Sequence, residues 1–263
     1  METSQSGQSE GPPYLSFGEL KNKGVRIIFS PVTERLYWEF DGVFPTAISV
    51  MKSYKGASDD LEPFFNPDTG TWHEISQLPL AEPKVSSLKA SVYDLDQWEF
   101  DWVAYHEYHN TKSRDFGQEY VPYESLDDDV RPQTKEQKED GSWEEDSETE
   151  FLIKCCGEDR PLRKRGLKLV VTASQSTGIE SFVTVRDFVS AVHPWLMSLR
   201  GDILEARSYS REDDHIPTER YEWMVEVRRH CGGKVEIEEK RDWVRRHSPR
   251  MPGPLTASDA KML

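Results

Sequence analysis

FVTVRDFVSAVHPWLMSLRGDILEA, Phe182 to Ala206, is the most regular stretch of the chain, and a His193-Pro194 pair sits near its middle. Thr184 stands where a helix N-cap belongs, and Asp187 three residues on replaces the usual Glu or Gln of a capping box. Val185, Phe188, Val192, Trp195, Leu199 and Ile203 follow at spacings of 3, 4, 3, 4 and 4, the apolar stripe of an amphipathic helix. Pro194 lacks a donor and its ring clashes with the carbonyl of Ser190, at a cost of about 3 kcal/mol if nothing relieves it. The stripe keeps its phase across the proline all the same. Burying Trp195, Leu196 and Leu199 stabilises by roughly 1.5–3 kcal/mol each, so packing outweighs the flaw. The spacing therefore predicts one helix kinked at Pro194, or two collinear halves on the same core. His193 becomes a candidate general base at a helix break. The plainer expectation is an imidazole that hydrogen-bonds backbone freed by the proline.

Strand signals surround this helix. Leu167–Ala173 precedes it, and Tyr221–Val227 and Val235–Ile237 follow it, joined across Cys231-Gly232-Gly233 as a hairpin. Earlier in the chain, Val25–Ser30 and Leu36–Phe40 are rich in β-branched and aromatic residues and flank a turn at SPVTER. Pro67–Gly70 is a Pro-Asp-x-Gly turn, and Leu88, Ala90 and Val92 alternate with polar neighbours. Residues 94–110, DLDQWEFDWVAYHEYHN, fit period two through Trp98, Phe100 and Trp102, and period 3.6 through Leu95, Trp98, Trp102, Tyr105 and His109. The segment is too long for a typical strand, and Asp94 with Gln97 makes a capping pair, so a helix is expected.

The charge of −15 has an address. Between Glu124 and Glu150 twelve acidic residues face three basic ones, which leaves −6 for the rest of the chain. That segment reads as a charged linker or surface loop, with Trp143 as a docking aromatic or a short binding motif. Residues 1–13 and 248–263 offer little to bury and are expected to be disordered. Between them lie two blocks, 14–123 and 151–247, expected to form one composite α+β domain. Its antiparallel or mixed sheet draws on both blocks, with two or more helices packed on it. No apolar run approaches the roughly 20 residues of a membrane span, and the N-terminus has no secretory h-region. Three cysteines, Cys155, Cys156 and Cys231, suggest reduced thiols and a cytoplasmic or nuclear protein. Without a CxxC motif, the vicinal pair reads first as small buried apolar residues and second as a soft-metal or redox site.

No phosphate-binding GxxxxGK[ST], GxGxxG after a strand, GxSxG, HExxH or zinc-finger spacing occurs. The common nucleotide, hydrolase and zinc classes with short signatures are thereby disfavoured. The best cluster is Tyr105–His109. On a helix, His106 and His109 lie at i and i+3 and could hold a divalent metal, with Glu107 as the neighbouring carboxylate. Histidines that suit the dipole at a helix C-terminus explain the same residues. Basic runs at 160–168, 228–230 and 245–247 could meet phosphates, but a pI near 5 argues against nucleic acid as a partner.

The segment FVTVRDFVSAVHPWLMSLRGDILEA, with VSSLKASVYDLDQWEFDWVAYHEYH upstream, resembles a group of uncharacterised proteins of filamentous fungi that share a VHPWL…LR.DIL pattern. The resemblance implies an intracellular fungal protein and brings no functional residue with it.

Two functions follow from the sequence. One is a non-enzymatic interaction protein, with no cofactor and with a protein partner met through 124–150 and Trp143. The other is a metal-assisted enzyme centred on His106, Glu107 and His109.

Overall fold

The computed structural model describes residues 14–54, 60–109, 116–122, 125–126, 150–162, 167–174, 181–209, 220–229 and 232–248. The expectations for 1–13, for nearly all of 124–150 including Trp143, for Cys231 and for the chain after Ser248 lie outside them.

In chain order the elements are α1 (Phe17–Asn22), β1 (Ile28–Phe29), β2 (Leu36–Trp38), β3 (Ile48–Met51), β4 (Leu61–Pro63), β5 (Phe65–Asn66), β6 (Thr71–Trp72), β7 (Ala81–Glu82) and β8 (Ser87–Val92). Then come α2 (Tyr93–His106), β9 (Glu119–Pro122), β10 (Glu150–Cys155), β11 (Glu158–Asp159), β12 (Leu169–Thr172), α3 (Val185–Ser198) and α4 (Arg200–Tyr209). β13 (Trp223–Val227), β14 (Lys234–Glu239) and α5 (Lys240–His247) close the described chain. The class is α+β, as the sequence implies. No helix among the described residues is long and apolar enough to cross a membrane.

The contacts cluster into two units, and each draws on both sides of the acidic segment. The first comprises residues 1–90, 170–197 and 221–263. Its largest sheet has the order β12-β8-β14-β13, and β2-β3-β4 forms a second. β13 and β14 make the expected hairpin, antiparallel from Trp223↔Glu239 to Val227↔Val235. Gly233 in its turn has φ +94, and a Cβ there would lie 2.5 Å from the Lys89 carbonyl oxygen, so no other residue fits. β14 alternates, burying Val235, Ile237 and Glu239, whereas β13 is buried at every position. Tyr37, Met51, Met224 and Trp243 form one core cluster. A second apolar region joins Phe29 and Trp38 to Phe188 of α3 by edge-to-face ring contacts.

α3 begins as expected. The Asp187 amide donates to Thr184 Oγ1 at 3.1 Å, and the Thr184 amide donates back to Asp187 Oδ2 at 2.9 Å. The helix then runs through Pro194, as the phase of the stripe predicts, and Pro194 itself is exposed. The interruption comes at Leu199, between Ser198 and Gly201, where helix propensity is weak. The buried face of α3 is Val185, Phe188, Val189, Val192, His193 and Leu196, while Trp195 and Leu199 are half-buried. The predicted seam is thus turned toward Val189 and Leu196, and α4 belongs to the second unit.

Other local expectations shift in the same way. SPVTER is a 3-10 turn over Pro31–Arg35, and only Ile28–Phe29 of 25–30 pairs as strand.

The second unit comprises residues 91–169 and 198–220. α2 is the helix expected over 94–110, followed by a 3-10 turn at Glu107–His109. Its N-cap is Val92, without a side-chain cap, so Asp94 does not cap. Instead Asp94 is buried and accepts from Arg207 of α4 at 3.2 Å. α2 packs against α4, burying Leu95, Trp98 and Trp102 on one side and Ile203, Leu204 and Ala206 on the other. β9, β10 and β11 form an antiparallel sheet with β10 central.

Candidate metal centre

His106 and His109 meet Cys155 and Cys156 inside the second unit, and one ligand atom from each of the four residues lies within 4.8 Å of the others. Two local devices bring them together. At the end of α2 the chain tightens into the 3-10 turn, and in that geometry side chains at i and i+3 eclipse, so His109 stands over His106. Their rings are 5.4 Å apart.

The other device is a hairpin turn. Cys155 pairs with Glu158, so Cys156-Gly157 is a two-residue loop. Its φ values are +55 and +82. Both are positive, as a type I′ turn requires, and such turns prefer Asn, Asp or Gly at the first position. Cys156 is the one described non-glycine residue with positive φ. Successive strand side chains point to opposite faces. The left-handed conformation breaks that alternation and swings Cys156 back beside Cys155, with their sulfurs 3.9 Å apart.

The separations have a chemical meaning. His109 Nδ1 lies 3.2 Å from Cys156 Sγ and 3.6 Å from Cys155 Sγ. A tetrahedral Zn²⁺ with sulfur at about 2.3 Å and nitrogen at about 2.1 Å sets S···S at about 3.8 Å and S···N at about 3.6 Å. The donor set, two thiols and two imidazoles, is one of those such an ion takes in closed sites.

The surroundings orient the ligands. His106 Nδ1–H donates to the Trp102 carbonyl at 2.8 Å, which leaves Nε2 as the nitrogen it can offer. Metal-binding histidines commonly spend their second nitrogen this way. His106 Nε2 is also 3.9 Å from Glu158 Oε2, and the Tyr209 hydroxyl donates to that same oxygen. Burial pushes the Tyr209 hydroxyl up, and the Glu158 carboxylate adds to the rise. The His109 ring stacks on Phe116 at 4.3 Å, Gln118 Nε2 donates to the His109 carbonyl at 2.7 Å, and the Cys156 amide donates to the Phe116 carbonyl at 2.8 Å. Burial pushes the Cys155 thiol up to about 11, helped by the Cys156 thiol beside it. Cys155 is buried and Cys156 exposed. A divalent cation among these groups reverses that logic and deprotonates a thiol that coordinates it.

The candidate residues of the sequence divide. His106 and His109 are in the cluster. Glu107 is exposed and outside it. His193 lies in the first unit, 2% exposed, where Trp38 Nε1–H donates to its Nδ1 at 2.9 Å and its Nε2–H donates to the Gly42 carbonyl at 2.9 Å. Burial holds it below its ordinary pKa, against a smaller opposing pull from that carbonyl. Its partners are not the backbone freed by Pro194, and both nitrogens are committed. Among the described residues of the basic runs, Arg160 pairs with Glu99 at 2.7 Å, Arg228 with Glu236 at 2.9 Å and Arg245 with Asp242 at 3.1 Å.

What sequence reasoning missed is the joining of the two pairs. The one local signal for Cys156 was its place before Gly157 at the end of the strand-like run Phe151–Cys155; the Glu158-Asp159-Arg160-Pro161 that follows does not read as a strand. Compared with family models, with curated proteins and with solved structures, the chain finds no match.

Proposed function

We propose that this chain is a metal-binding, non-enzymatic protein in which a Zn²⁺-class ion ties the end of α2 to the β10–β11 turn. The observation that carries the reading is the convergence of His106, His109, Cys155 and Cys156 within 4.8 Å. His106 would bind through Nε2, His109 through Nδ1 and the cysteines as thiolates. The ion would link two parts of the second unit that are distant in sequence, which is where a cross-link contributes most to stability. Four protein donors complete a tetrahedron, and catalytic sites of this class keep one position open. That favours a structural ion over the metal-assisted enzyme, which would need a donor to yield its place; exposed Cys156 is the one that could. Thiolates kept reduced for a metal suit a cytosolic or nuclear setting. The acidic segment 124–150 with Trp143 is the proposed contact for a protein partner.

The test is metal analysis of the full chain purified under reducing conditions. One zinc per chain is expected, and Co²⁺ in its place should give the intense visible d–d bands of a tetrahedral thiolate–imidazole site. Cys155→Ser and His109→Ala should abolish both signals, and Glu107→Ala should leave them intact. A metal-free chain that takes up neither ion would sink the proposal.

A further inference from the structure

The two sulfurs are adjacent in sequence, 3.9 Å apart and unlike in exposure, and this bears on how such a centre is controlled. We propose that it is a peroxide-responsive switch, in which Cys155 and Cys156 close to a vicinal disulfide and release the metal. The inference rests on the metal-binding reading and adds its regulation.

The chemistry follows from the placement. Redox-sensing cysteines are solvent-accessible and stand next to a resolving cysteine. Cys156 is the exposed sulfur at the tip of the turn, and Cys155 is the buried neighbour behind it. The Cys156 thiolate attacks one oxygen of hydrogen peroxide; the O–O bond breaks, an S–O bond forms, and the departing hydroxide takes up a proton as water. Cys156 is then a sulfenic acid. The Cys155 thiolate attacks that sulfur; the S–S bond forms, the S–O bond breaks, and hydroxide leaves and is protonated to a second water. The two sulfurs lose two electrons and the peroxide gains them. A disulfide has no thiolate to give, so the ion keeps only His106 and His109 of its four donors and dissociates. The sulfurs start only 3.9 Å apart, with Cys156 on a loop residue of the turn. Burial of Cys155 shields it from direct attack and from partners in other molecules, which leaves its neighbour as the sulfur within reach.

The experiment uses the full chain carrying Cys231→Ser, loaded with zinc and titrated with hydrogen peroxide. Zinc is read with a chromogenic chelator, and the peptide holding residues 155 and 156 is read by mass. The proposal expects one zinc released per peroxide consumed, a 2 Da loss in that peptide, no covalent dimer, and renewed zinc binding after dithiothreitol. Zinc retained under peroxide, zinc lost with sulfinic or sulfonic acids, or zinc lost with disulfide-linked dimers would each overturn the switch and leave the metal site standing. A protein that holds no zinc before peroxide is added fails at the earlier step and overturns both.

Discussion

Asp101-Trp102-Val103-Ala104-Tyr105-His106 ends α2, and Asp242-Trp243-Val244-Arg245-Arg246-His247 ends α5. The shared pattern produces the same local object in each unit. His106 Nδ1–H donates to the Trp102 carbonyl at 2.8 Å, and His247 Nδ1–H to the Trp243 carbonyl at 2.9 Å. Each ring lies against its tryptophan, with centroids 4.1 Å and 3.9 Å apart. Each Nε2 lies 3.9 Å from a glutamate oxygen, Glu158 in one case and Glu226 in the other. The difference is what stands beyond. Around His247 the neighbours are Glu226 and Arg246, which pair with each other at 3.3 Å, and Arg246 also binds Glu238. Around His106 they are His109 and two thiols. A helix end that fixes a tautomer serves equally as a structural plug and as half of a candidate metal site, and only the neighbours choose.

The sharpest way to break this comparison is to remove each histidine. His106→Ala should lower zinc affinity by about 100-fold or more, since it removes a ligand whose outer partners alone are worth 10–100-fold elsewhere. His247→Ala should leave zinc stoichiometry at one per chain, measured by mass spectrometry of metals. Equal metal loss in both variants would erase the distinction.

Trp243 is fully buried and touches Tyr37 edge-on. Trp243→Ala should cost about 3–5 kcal/mol in denaturant unfolding, with Co²⁺ spectra of the folded fraction unchanged.

A third buried histidine supplies a control that neither metal nor carboxylate touches. His193→Ala leaves the Trp38 indole N–H and the Gly42 carbonyl without their partner and should cost about 2–4 kcal/mol. In the parent protein burial lowers the pKa of this imidazole below its ordinary 6.5. The unfolded chain therefore binds a proton first as pH falls. The stability His193 provides is complete above about pH 6.5 and declines from there toward the lower folded value. Unfolding free energies measured from pH 7.5 to 5 should show a slope that weakens in the His193→Ala variant.

The smallest effect separates ligand from turn. Cys156→Asn suits a type I′ position better than cysteine does, so the metal-free protein should gain about 0.5–1 kcal/mol while zinc affinity falls. A variant that binds zinc as before would remove Cys156 from the ligand set.

Much of the scaffold was legible locally. The Thr184–Asp187 capping box, the β13–β14 hairpin and the helix through Trp98 and Trp102 all rest on interactions spanning a few residues. Misreadings arose where two local signals competed. α3 runs through Pro194 as the unbroken phase of the apolar stripe predicts, but the interruption after it, around Leu199, went unread. Asp94 looked like a cap, yet Arg207, more than a hundred residues away in sequence, claimed it.

By itself the sequence determined periodicity, the local turns and the α3 cap, because these depend on groups a few residues apart. Only the tertiary structure decided that Cys155 and Cys156 face His106 and His109. That meeting spans 46 residues between His109 and Cys155, and no propensity or spacing encodes it. It is set by the pairing of β10 with β9 and β11 and by the packing of α2 on α4, which bury apolar area first and bring the four donors together as a consequence.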